Sequence, residues 1–219
     1  MKRSIKFFII FALFLFVFSL SSCLDYVQAI SYKDGKYQMY YKITFSKVLF
    51  ALIDEDPDEY LGDFMQEQDE ELNKTLPENF TSKKVNTTNE VGYEISFSIS
   101  PSTTDENEKS FLPKASGTKC YIPFLFGNEE IDFASSLNDL DDEETDYAQA
   151  ILSSAKCRLL VSKKIVPKVE TAYFEGTGSQ NASIPLFDYG ESYCAEIPFN
   201  LLFEKDMYNF DRLVLIRGE

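Results

Sequence analysis

The chain contains neither histidine nor tryptophan among its 219 residues. Without histidine it cannot form a Ser-His-Asp or Cys-His catalytic group, nor a zinc or iron site with imidazole ligands. No other recognisable catalytic motif is present. We therefore expect a protein that is not an enzyme, with no catalytic residues, no cofactor and no bound metal.

Basic residues are scarce, with 21 Lys and Arg against 36 Asp and Glu and a formal net charge of −15. Three of the basic residues are Lys2, Arg3 and Lys6, so removal of residues 1–22 changes the charge from −15 to −18. A field of this sign repels nucleic acid and anionic lipid headgroups, which excludes nucleic acid as a partner. The need for solubility explains the acidic composition as well as binding to a cationic partner would.

Cysteine is also scarce. After Cys23 only Cys120, Cys157 and Cys194 follow. An odd number allows at most one intramolecular disulfide in an oxidising compartment. Because all three lie in apolar or strand-like surroundings, buried free thiols are the other alternative.

The only long hydrophobic run is at the N-terminus. Residues 7–18 form an apolar stretch of 12 residues after Lys2, Arg3 and Lys6. A membrane-spanning helix needs about 20 residues. The positive start, the short apolar stretch and the small residues that follow are typical of a secretory signal peptide over residues 1–22.

The signal ends in Leu20-Ser21-Ser22-Cys23, which resembles the lipobox of bacterial lipoproteins. The resemblance implies cleavage after Ser22 and a diacylglyceryl group on the Cys23 thiol. At about 0.8 kcal/mol per buried CH₂, acyl chains such as palmitate would hold the protein on a membrane. It therefore implies a protein of the bacterial cell envelope, facing the periplasm or the cell surface. The alternative is an ordinary signal in which Cys23 is incidental.

Two strands, over 24–32 and 37–46, are predicted around an Asp34-Gly35 hairpin turn. Alternation places these residues of the second strand on one face: Tyr37, Met39, Tyr41, Ile43 and Phe45. It places these on the other: Gln38, Tyr40, Lys42 and Thr44. A later strand over 91–100 divides in the same way, with one face formed by Val91, Tyr93, Ile95, Phe97 and Ile99, and the other by Gly92, Glu94, Ser96 and Ser98.

An amphipathic helix is predicted from Asp56, a possible N-cap, to Leu76. With a further strand over 80–88, this makes residues 23–100 a ββαββ module, an antiparallel sheet with one helix across it. Such a sheet could part slightly from its helix and hold an apolar ligand, although an ordinary packed core is the simpler explanation of the pattern. The aromatic and apolar residues that would line the pocket are Tyr37, Tyr41, Phe45, Phe64, Met65, Tyr93 and Phe97.

Residues 101–118 have the polar composition of a linker or long loop. Residues 119–219 are predicted to be strand-rich and sandwich-like, with one short helix at about 145–156. The alternative is that these strands extend the first sheet. The fold class predicted for the whole chain is α+β.

Two other segments suggest sites, and both have simpler interpretations. The acidic run over 138–146 could supply calcium ligands, but it lacks EF-hand spacing, and a solvated turn before a helix explains it better. The Gly-rich segment 176–179 lacks the lysine and the helix of a phosphate-binding loop, so it is interpreted as a turn.

The order of strands, hairpin and acidic helix after Cys23 resembles the LppM-like domain of bacterial lipoproteins over residues 23–100. The resemblance implies a membrane-anchored module in contact with lipid or a host surface, and no catalytic residues. We therefore expect a non-enzymatic envelope lipoprotein, anchored through Cys23, that binds an envelope protein or an apolar, lipid-like ligand. The alternative is a purely structural or surface-exposed interaction protein without a ligand pocket.

Overall fold

The structure is a computed structural model that describes residues 24–47, 62, 66, 69, 73, 76–125, 155–178, 180–204 and 206–218. Twelve strands lie within these residues. In chain order they are β1 (Leu24–Lys33), β2 (Lys36–Ser46), β3 (Thr81–Asn86), β4 (Glu90–Ile99), β5 (Lys114–Ser116), β6 (Lys119–Pro123), β7 (Lys156–Ser162), β8 (Val169–Gly176), β9 (Ala182–Ile184), β10 (Leu186–Asp188), β11 (Ser192–Pro198) and β12 (Tyr208–Arg217). A short helix, α1 (Glu106–Ser110), and a 3-10 helix (Phe199–Phe203) accompany them.

The strands form two sheets. The first has seven strands in the order β10, β11, β7, β1, β2, β4, β3, and the second has five in the order β5, β6, β12, β8, β9. All the pairings are antiparallel except that of β1 with β7. Strands from before and after residues 101–118 therefore share the first sheet, and that segment itself contains α1 and β5.

The hairpin between β1 and β2 confirms the predicted Asp34-Gly35 turn. Asp34 has φ of 52° and Gly35 has φ of 77°. Positive φ at both central residues matches the right-handed twist of the flanking strands. The ladder then runs without a shift from Lys33↔Lys36 to Leu24↔Phe45.

One hydrophobic core joins the inner faces of the two sheets. The predicted inner face of β4 is confirmed, because all five of its apolar residues are buried: Val91, Tyr93, Ile95, Phe97 and Ile99. Met39 and Tyr41 of β2 are buried beside them, and Tyr26 of β1 meets Phe124 edge to face across the core, with ring centroids 5.7 Å apart.

A buried glutamine also connects the sheets. Gln28 of β1 is fully buried; its side-chain nitrogen donates to the Pro123 carbonyl at 2.6 Å, and its oxygen accepts from the Leu125 N–H at 3.2 Å. The Tyr26 hydroxyl donates to the same oxygen at 2.9 Å. Buried polar groups are tolerated when they are hydrogen-bonded in this way.

The α+β fold class predicted from the sequence was wrong, because the described chain is β-rich, with twelve strands in two sheets. Within the described residues, α1 is the only α-helix that extends beyond isolated positions. The predicted ββαββ module covers only part of the first sheet, because β7 pairs with the edge of β1 that the module leaves free and so extends the sheet. The helix predicted over 56–76 lies mostly outside the described residues, and the one predicted over 145–156 almost entirely.

The three cysteines after Cys23 are free thiols, each at most 3% exposed. Cys157 and Cys120 belong to the shared core, on the first and second sheets respectively, whereas Cys194 lies outside that core. Burial raises the pKa of all three thiols, which keeps them in the unreactive protonated form.

We expect none of these thiols to react rapidly with a thiol reagent in the native protein, and all three to react after denaturation. The measurement uses a Cys23→Ser chain, so that the N-terminal thiol does not add to the number of reacting thiols. The absorbance of the dye that the reagent releases gives the number of reacting thiols. One reacting thiol in denaturant, instead of three, would indicate a disulfide.

Candidate binding groove on the outer face of the seven-stranded sheet

The aromatic residues predicted to line an apolar pocket lie in or against the shared core. Tyr41 and Phe97 stack with ring centroids 5.8 Å apart, and Phe111 packs edge-on against Phe97 at 5.2 Å. Tyr37 and Phe45 are half-buried and pack against the same core. Phe64 and Met65 lie outside the described residues.

An open groove lies on the sheet with a volume of about 380 Å³. Most of the described residues that line it belong to the outer face, away from the shared core, or to the loop before β3. These residues are Ala29, Ser31, Gln38, Tyr40, Asn79, Thr81, Ser96 and Ser98. We call this set of residues the outer groove.

Strand register places these side chains in rows. Tyr40 of β2 lies between Ala29 of β1 and Ser96 of β4, and the next row contains Ser31, Gln38 and Ser98. Because the neighbours of Tyr40 are small, the residue stays 37% exposed. Strand residues offer the groove a more rigid frame than a loop would.

Hydrogen bonds fix the wall formed by β3 and β4. The Asn79 amide donates to the Ser98 carbonyl at 2.8 Å, and the Thr81 hydroxyl lies 2.8 Å from the Ser96 hydroxyl. Within the part of the chain that the structure describes, the Ser31, Gln38 and Tyr40 side chains have no hydrogen-bond partner. These side chains can therefore bond to a ligand without breaking an internal contact.

A group of charges lies next to the outer groove on the same face. Asp25 is held by Lys42, with Nζ and Oδ2 3.0 Å apart, and by Arg158 of β7. Burial alone would raise the pKa of Asp25, but these two cations outweigh it and lower the pKa below 3.8. The carboxylate thus links β1 to strands on both of its sides.

The lowered pKa gives the fold a pH dependence. A carboxyl group with a lower pKa in the folded chain stabilises the fold fully above its unfolded pKa, and this contribution is lost as pH falls through the folded pKa. We expect Asp25→Asn to lower the free energy of unfolding by about 1–2 kcal/mol at pH 7, since the pair is half-buried.

The difference between Asp25→Asn and the parent should shrink as pH falls from about 4, near the unfolded pKa of an aspartate, through the lower pKa that Asp25 has in the folded chain. Urea unfolding at several pH values measures it. Asp188→Asn is the matched control, since its pair with Lys163 is exposed and should contribute much less. An equal loss at pH 7 and at pH 3 would contradict the assignment.

The calcium and phosphate-binding sites considered from the sequence have little support in the described residues. No group of three acidic or cysteine side chains there is arranged to hold a metal ion, and the acidic run over 138–146 lies outside them. In the Gly-rich segment, Gly176 ends β8 and the Thr177 N–H donates to the Met207 carbonyl at 2.9 Å, which continues the pairing of β8 with β12. Ser179 lies outside the described residues, so the turn stays a prediction.

Sequence reasoning placed Gln38, Tyr40, Ser96 and Ser98 on the face opposite the core but assigned them no role. The absence of charge at these positions was the signal that could have indicated a site. Cys23 lies outside the described residues, and β1 begins at the next residue, Leu24, which is 3% exposed. Within the described ranges, no helix has the length and apolar character needed to cross a bilayer.

Comparison with known proteins returned no relative: no family model matches the chain, and neither a curated protein nor a solved structure is significantly similar. The resemblance of residues 23–100 to the LppM-like domain therefore stays a prediction.

Proposed function

We propose that the chain is a non-enzymatic lipoprotein of the bacterial envelope, anchored through Cys23, that binds a partner or ligand at the outer groove. The observation that carries the proposal is the position of the lipobox cysteine directly before β1. An acyl anchor there would attach to the first residue of a central strand of the sheet, with no linker between them.

The position of the outer groove supports this arrangement. Ser31 follows Leu24 by seven residues along β1, which corresponds to about 24 Å at the usual rise of a strand. A groove at this distance from the anchor is accessible to molecules beyond the lipid headgroups. The net charge of −18 that remains after removal of residues 1–22 keeps the rest of the surface away from anionic lipid.

A purely structural interaction protein is the second candidate. Phe187 and Tyr189, at the β10 edge of the seven-stranded sheet, are 43% and 64% exposed. Exposed aromatic side chains are enriched at protein interfaces. Contact through this edge would need no ligand groove.

The proposal predicts the behaviour of a Cys23→Ser chain. Serine cannot accept the diacylglyceryl group, so we expect the protein to leave the membrane fraction almost completely and to lose the mass of the lipid. Cell fractionation with immunoblotting measures this. Cys194→Ala, which keeps Cys23, should stay with the membrane. A Cys23→Ser chain that still sediments with membranes would rule the anchor out.

A further inference from the structure

The outer groove carries no charge in a strongly charged protein. Charged residues make up 26% of the sequence, but none of the described residues that line the groove is acidic or basic. The lining residues offer an ionic ligand no countercharge, and the charged groups near Tyr40 are already paired, Lys42 with Asp25 and Lys83 with Glu94. An anion would in addition meet the net charge of −18 that the chain has without residues 1–22.

The lining is also too polar for a purely apolar ligand. Ser31 and Gln38 offer hydroxyl and amide groups that would lose their water without gaining a partner if a hydrocarbon covered them. Burying such a group without a hydrogen bond costs about 1–3 kcal/mol. A ligand that suits this surface must itself carry neutral donors and acceptors.

Tyr40 adds an aromatic surface among these polar groups. Tyr40 is 37% exposed and stands between the small residues Ala29 and Ser96. The face of an aromatic ring is electron-rich and attracts the partly positive C–H groups of a ligand. A neutral ring bearing hydroxyls at its rim and C–H groups on its faces fits both features.

We propose that the outer groove binds a neutral oligosaccharide, with one sugar ring on Tyr40 and its hydroxyls bonded to Ser31 and Gln38. The inference rests on the proposed function and names the ligand of that same groove. The volume of about 380 Å³ lies within the range of small-ligand sites. Because the groove is open, it can hold internal units of a longer polysaccharide.

Calorimetric titration of the full-length lipidated protein tests the proposal. The detergent should be of the polyoxyethylene type, because a maltoside headgroup would compete. The probes are maltohexaose, cellohexaose and a hexamer of N-acetylglucosamine, with hexagalacturonate as the anionic probe and palmitate as the apolar one. We expect at least one neutral hexamer to bind, and the other two probes not to bind at the groove.

Tyr40→Ala should weaken the binding at least tenfold, whereas Tyr189→Ala, which removes an exposed tyrosine outside the groove, should change it less than twofold. Ser31→Phe, which fills the groove and leaves Tyr40 in place, should also weaken it at least tenfold. Thermal melting of each variant confirms that it is folded.

Failure of all three neutral hexamers to bind would overturn the inference, as would unchanged binding in Tyr40→Ala. Palmitate, hexagalacturonate or a protein bound at the groove in a Tyr40-dependent way would overturn it as well. Sedimentation of the same preparations with membranes tests the anchor separately. A protein that is anchored but binds no sugar would contradict only this inference. A protein that binds sugar but carries no lipid would contradict only the proposed anchor.

Discussion

Replacing Gly92 with alanine is expected to lower the free energy of unfolding by about 3 kcal/mol or more. Gly92 lies on β4, which is hydrogen-bonded to β2 on one side and β3 on the other. A Cβ atom at this position would stand 1.9 Å from the Ile43 carbonyl oxygen, and the φ of Gly92 is +156°. Since the atom in its way belongs to the backbone of a neighbouring strand, the clash can be relieved only by separating β2 from β4.

Gly178→Ala is the matched control for this prediction. A Cβ at Gly178 would meet nothing within 4 Å, so the change should stay within about 0.5 kcal/mol. Chemical denaturation of both variants measures the difference. If Gly92→Ala proved as stable as Gly178→Ala, the close pairing of β2 with β4 would be wrong.

Gln28→Leu is expected to lower the free energy of unfolding by roughly 3 kcal/mol. Leucine fills a similar space but cannot bond to the Pro123 carbonyl, the Leu125 N–H or the Tyr26 hydroxyl. The Pro123 carbonyl and the Leu125 N–H would lose this partner at the junction of the two sheets. The cost of an unpaired buried group is about 1–3 kcal/mol.

Gln38→Leu makes the same chemical change on the outer face of the sheet. Gln38 is only half-buried and makes no hydrogen bond to the described residues, so its replacement should have little effect on stability. Denaturant melts of the two variants compare them directly. A Gln28→Leu protein as stable as Gln38→Leu would show that the sheets meet in another way.

Local patterns explain the part of the fold that the sequence predicts. The Asp34-Gly35 turn and the alternation in β2 and β4 depend on residues close in the chain. Each has a distinct period or a residue that tolerates positive φ. The predicted inner face of β4 therefore agrees with the burial in the structure. In β2 the agreement is partial, because Tyr37, Ile43 and Phe45 are only half-buried and Thr44, predicted on the outer face, is 1% exposed.

The prediction failed where pairing joins distant parts of the chain. Asp25 lies beside Lys156 in the parallel β1–β7 pair, and no local pattern of either strand indicates that neighbour. An extension of the first sheet by the C-terminal half was one of two alternatives, and the helix predicted across the sheet led to the α+β class. Gln28 was missed for the same reason, because its partners Pro123 and Leu125 are far away in sequence.

The outer groove depends on the same kind of information. Alternation separates Gln38 and Tyr40 from the core residues of β2, but it cannot show that Ser31, Ser98 and Asn79 surround them. That arrangement requires the register of three strands and the path of the loop before β3.

The measurement that tests the account most directly is the intact mass of the full-length gene product, purified from membranes in detergent. We expect a chain that starts at Cys23 and carries the added mass of a diacylglyceryl group, which is lost when Cys23 is replaced by serine. A chain in which Cys23 is unmodified, or one that still begins at Met1, would contradict the account.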